Sequence, residues 1–129
     1  MSHFQQATPE GLYNELKEIE DKVDQAGQNV HFSGQSAAQK KAEYEDLKNK
    51  MLIQMFADEA AGKSPKRTEA QRQSLYRTTY AEQRLAWQLA ENEWKASSDY
   101  LKGLLAMLTA LQTRVRILEG DWRIAKTAV

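Results

Sequence analysis

Lys41, Lys48 and Lys50 precede, Lys63, Lys66 and Arg67 lie within, and Arg72 follows one short glycine- and proline-containing segment, AAGKSPKR at positions 60–67. Cations grouped in this way can neutralise phosphates and release their counterions, the sequence-independent part of nucleic-acid binding. Tyr76 and Tyr80 lie among Arg72, Arg77 and Arg84, and rings interleaved with cations are what a protein uses to stack the bases of a single strand. The same residues have a structural alternative, in which the arginines form a solvated face with glutamates and the tyrosines pack in a helical seam. Lys40, Lys41, Lys48 and Lys50 also sit beside Glu43, Glu45 and Asp46, the pattern of an ordinary charged helix.

Groups for catalysis are scarce. His3 and His31 are the only histidines, there is no cysteine, and neither histidine follows a glutamate by three residues, the spacing of di-metal helical bundles. Neither a GxxxxGK[ST] phosphate loop nor a GxSxG elbow occurs. A non-enzymatic protein without metal or cofactor is therefore expected. Absence of cysteine is compatible with a reducing compartment, and a cytoplasmic protein is the default. MSHFQQATPE lacks a basic segment followed by an apolar run. The most apolar stretch, Leu101 to Leu111, contains Lys102 and reaches only about half a membrane span. No membrane association is expected.

The elements that must carry these residues are helices. With 129 residues, two prolines and 41% hydrophobic residues, the chain fits one small all-α domain. Thr8-Pro9-Glu10 reads as a helix start, after which Leu12, Leu16, Ile19 and Val23 form one stripe. Gly27 and Gly34 suggest that this helix ends or bends before a second one begins near Ser36, with Tyr44, Leu47, Met51 and Met55 or Phe56 as its stripe. Residues 1–59 are thus N-terminal helices and 60–67 a basic turn that reverses the chain. Thr68 and Gln71 form a capping box opening a long helix over 68–129 that no proline interrupts.

That helix holds the strongest pattern. Tyr80, Trp87, Trp94, Leu101, Leu108, Val115, Trp122 and Val129 recur at every seventh position, with Ala90, Ser97, Leu104, Leu111, Leu118 and Ala125 among their companions three residues on. Such a repeat demands a partner helix, and makes the tryptophans core or interface anchors. The aromatic half is expected to pack on the chain's own second helix. Leu101, Leu104, Leu108, Leu111, Val115 and Leu118 are expected to form the interface of a homo-oligomer. The fold expected is therefore a helical hairpin with a long, coiled-coil-like C-terminal helix that oligomerises.

Charge is uneven along the neutral chain. Residues 1–30 carry six acidic and two basic side chains, whereas residues 61–86 carry six basic and two acidic. With the lysine helix, the glycine-containing turn and the long helix, the arrangement resembles the UvsY-like recombination mediators of tailed bacteriophages. Leu47-Lys48-Asn49-Lys50-Met51 is similar to that family's Leu-Lys-x-basic-Leu segment. Asp99-Tyr100-Leu101-Lys102-Gly103-Leu104-Leu105 and Arg114-Val115-Arg116-Ile117 resemble its oligomerising C-terminal region. The resemblance covers roughly Val23 to the end, and the acidic first helix departs from the family's more basic character.

The resemblance implies a ring-like homo-oligomer in the bacterial cytosol that contacts single-stranded DNA, a recombinase and a single-strand-binding protein during phage DNA recombination and repair, with Lys48 and Lys50 touching DNA. The other reading open at this level is a structural or adaptor coiled-coil protein, an assembly component or small inhibitor of a host protein, that binds no nucleic acid.

Overall fold

The computed structural model describes residues 8–127, with side chains to Ile124, and from Pro9 on is helical apart from residues 61–68 and Tyr80. His3 and Val129, and the side chain of Ala125, lie outside this range. Helix α1 spans Pro9–Ala60, α2 Glu69–Thr79 and α3 Ala81–Thr127. No strand occurs among the described residues.

The starts and stops follow from local chemistry. Thr8 Oγ1 accepts from the Gly11 N–H at 3.1 Å, satisfying one orphan amide of α1, and Pro9 occupies the first helical position. At the other end the Lys63 N–H reaches Asp58 O and the Gly62 N–H reaches Glu59 O, a Schellman closure that requires a left-handed residue. Gly62 supplies it with φ of 75°. Helix α2 opens with the expected capping box: Thr68 Oγ1 accepts from the Gln71 N–H at 3.2 Å, and Gln71 Oε1 accepts from the Thr68 N–H at 2.9 Å.

Two boundaries differ from the sequence expectation. Helix α1 neither ends nor bends into a second helix at Gly27–Gly34, because its apolar repeat keeps phase through the glycines: Leu16, Val23, Val30, Ala37, Tyr44 and Met51 lie seven apart. One continuous stripe, with Ala37 and Tyr44 buried and the others half-buried, outweighs the roughly 1 kcal/mol that each helix-interior glycine costs. Gly34 has a positive reason to be there, since a Cβ at that position would stand 3.1 Å from Nε1 of Trp94.

The long C-terminal helix, conversely, is interrupted at Tyr80, whose backbone leaves the helical region at φ −109° and ψ 33°. Hydrogen bonds from the Tyr80 N–H to Tyr76 O and from the Arg84 N–H to Tyr80 O carry the ladder across. The interruption falls on Thr78-Thr79-Tyr80, residues of weak helix propensity, and Thr78 Oγ1 donates back to Ser74 O at 2.8 Å. Neither Ser97-Ser98-Asp99 nor Gly103 breaks α3.

The chain divides into two compact units where a single domain was expected, one from Met1–Val30 with Ala96–Val129 and one from His31–Lys95.

In the first, terminal unit, α1 and α3 run antiparallel: Leu12 clusters with Leu111 and Val115, with Leu16, Ile19 and Leu118 packed around them. Tyr13 donates from its hydroxyl to Glu119. Leu104, Leu111 and Val115 are buried and Leu101, Leu108 and Leu118 half-buried. The six residues expected to face another subunit thus belong to a seam in which the chain's own first helix covers Leu111, Val115 and Leu118. A length of α1 that sequence reasoning ended near residue 30 as a separate piece is available to fill that seam.

In the central unit, Tyr44 is buried and stacked on Trp87, ring centres 5.7 Å apart and planes 26° from parallel. Ala37, Met55, Tyr76 and Ala90 complete its buried set. Of the two candidates for the end of the α1 stripe, Met55 is interior and Phe56 half-exposed.

Candidate interaction surfaces

The cations that could contact phosphate are mostly engaged by the protein itself. Arg72 makes a two-pronged pair with Glu59, Nη2 to Oε1 at 3.1 Å and Nε to Oε2 at 3.2 Å, and its guanidinium lies 4.4 Å from the centre of the Phe56 ring. Glu59 also accepts from the Arg67 N–H. Arg67 Nη1 donates to Ser64 Oγ at 3.4 Å. Only 7% of the Glu59 side chain and 14% of that of Arg72 is exposed, so one carboxylate ties the end of α1 to the turn and to α2. Hydrogen bonding from Arg72, then from the Arg67 backbone, holds the Glu59 carboxyl below the ordinary carboxylate value.

A pH prediction follows from that depression. Stability contributed by Glu59 is full above its unfolded-state pKa of about 4.5 and is lost as pH falls through the lower folded-state value. Glu59→Gln should melt below wild type at neutral pH, and the difference should shrink on acidification past that window, as read by circular dichroism. An unchanged gap at low pH would separate the effect from ionisation.

Lys48 and Lys50 have different surroundings. Two residues apart on a helix, they point to different faces. Lys48 is half-buried, pairs with Glu45 at 3.1 Å and places its ammonium 5.6 Å from the Tyr76 ring centre. Lys50 is 73% exposed and pairs with Asp46 at 2.9 Å. Hydrogen bonds to these carboxylates raise both lysine pKa values. Lys41 sits 5.6 Å from the Trp87 ring centre, and lies about 28 Å from the turn along α1 at 1.5 Å per residue. Lys63 and Lys66 are exposed on the turn. Of the seven residues, the structure brings Lys63, Lys66, Arg67 and Arg72 into one neighbourhood. It assigns the Arg72 guanidinium and the Arg67 backbone N–H to Glu59, which stands one residue before α1 ends at Ala60.

A second surface lies in the terminal unit. A groove of about 800 Å³ runs between α1 and α3, bordered by Glu15, Glu18 and Lys22 on one side and Met107, Ala110 and Arg114 on the other, with Ile19 and Leu111 also lining it. A smaller hollow is lined by Leu12, Arg114, Ile117 and Leu118. Tyr100, Met107, Ile117 and Ile124 are between 56% and 67% exposed. Sequence reasoning missed this stripe. Its signal is a second repeat one residue ahead of the buried heptad: Tyr100, Gly103, Met107, Ala110, Arg114, Ile117, Asp121 and Ile124, at alternating spacings of three and four.

Among the described residues no helix is long and apolar enough to cross a membrane, and no group of acidic or histidine side chains is arranged to hold a metal. No protein-family model matches the chain, and neither a curated protein nor a solved structure does so.

Proposed function

We propose that this protein is a non-catalytic adaptor that works by docking helices, with the terminal unit as its docking site. The observation that carries this reading is the apolar stripe Tyr100–Met107–Ile117 beside the groove, exposed while Leu104, Leu111 and Val115 of the adjoining heptad are buried. Exposed apolar side chains in register on a rigid helix, next to an apolar groove, are what an amphipathic partner helix recognises.

Single-strand DNA binding with a mediator role is the second reading. Exposed Lys63, Lys66 and Lys50 favour it, whereas the engagement of Arg72 and Lys48 by Glu59 and Glu45 disfavours it. A recombinase and a single-strand-binding protein would be its partners by resemblance alone.

One titration separates the two. A labelled single-stranded oligonucleotide is added at low salt and followed by anisotropy while salt is raised. The adaptor reading expects no salt-sensitive binding. Tight binding that falls steeply with salt, and weakens in Lys63→Ala/Lys66→Ala, would replace it with the mediator reading.

A further inference from the structure

The exposed stripe of α3 is complementary to itself when laid antiparallel. We infer that the occupant of the groove is a second copy of this chain, docked α3 against α3 about a two-fold axis between Met107 and Ala110, so that the two terminal units form a four-helix bundle. The inference deepens the adaptor reading by naming its first partner.

Three observations carry it. First, pairing the stripe with its reversed copy about that axis sets Met107 against Ala110, Arg114 against Gly103, and Tyr100 against Ile117. Large side chains mostly meet small ones, as close antiparallel packing requires, and a two-fold interface repeats each contact twice. Second, a Cβ on Gly103 would meet nothing within 4 Å. Intrachain packing therefore does not account for a residue that costs a helix interior roughly 1 kcal/mol relative to alanine, while a crossing helix bearing Arg114 does. Third, charge is complementary: residues 9–30 of α1 hold six acidic and two basic side chains, and the α3 stretch 96–124 holds four basic and three acidic. Seating a second α3 against Glu18 and its neighbours brings Arg114 of each copy to the acidic helix of the other.

The test is made on the full chain. Sedimentation equilibrium at micromolar concentrations should give twice 14.8 kDa. Met107→Glu places a charge at the centre of the interface, on a side chain 56% exposed within one chain. It should return the mass to one chain while leaving helicity and melting of the monomer unchanged, a weakening of at least about 50-fold. The protein has no cysteine of its own, so Ala110→Cys should link two chains under mild oxidation, whereas Gln112→Cys, exposed on the opposite face of α3, should not. A wild-type mass of one chain, or a dimer that survives Met107→Glu and gives no Ala110→Cys link, overturns the inference. The adaptor reading itself stands or falls separately, on the oligonucleotide titration.

Discussion

Leu111→Asp should destabilise the protein by about 4 kcal/mol or more, combining loss of a buried leucine with burial of a carboxylate that has no partner. Leu111 is 7% exposed and packs with Leu12 of α1, 99 residues earlier in the chain, and with Val115 of its own helix. The loss should appear as a lower urea midpoint. If instead the Leu101–Leu118 seam were an interface between subunits, the same substitution would change the mass and leave each chain's fold in place. Mass and midpoint measured together on one sample distinguish the two.

Tyr44→Ala should be nearly as severe in the central unit, costing about 3–5 kcal/mol, the range for truncating a buried aromatic. Tyr44 is 4% exposed, and its removal strips one face from Trp87, whose ring also receives the Lys41 ammonium at 5.6 Å. Tyr44→Phe keeps the stacked ring and should lie close to wild type. Chemical denaturation followed by tryptophan fluorescence reads both variants. A Tyr44→Ala midpoint equal to wild type would mean that the stack contributes nothing to stability.

Much of this architecture was legible before any coordinates. Thr8-Pro9, the AAGKSPKR turn and the Thr68–Gln71 box are each a local hydrogen-bonding solution written in a few adjacent residues, so sequence alone suffices to read them. The all-helical character was legible for a similar reason. The continuity of α1 was missed because Gly27 and Gly34 are weak helix residues locally, and only the phase of Leu16 through Met51 across them shows that tertiary packing overrides propensity. The break at Tyr80 was missed for the opposite reason: no proline or glycine marks it, only two threonines and a tyrosine.

The candidate surfaces were less legible. A cluster of cations in the sequence does not reveal which of them a carboxylate already holds. Glu59 stands thirteen residues from Arg72, and it becomes the partner of that guanidinium only through the chain reversal. Likewise the Leu-rich heptad announces a partner helix without saying which chain supplies it. Once α1 is seen to cover it, the residues that carry information about association are the neighbouring Tyr100, Met107 and Ile117.

The central claim is that the chain's own first helix fills the Leu-rich seam, leaving the adjacent stripe for docking. Its most direct test uses the absence of native cysteine: Leu12→Cys and Val115→Cys are introduced together at two contacting core positions, and the protein is oxidised across a range of concentrations. The account predicts a bridge within one chain, running at the single-chain mass of 14.8 kDa on a denaturing non-reducing gel at every concentration. A product of twice that mass whose yield rises with concentration, with no bridge within the chain, would contradict it.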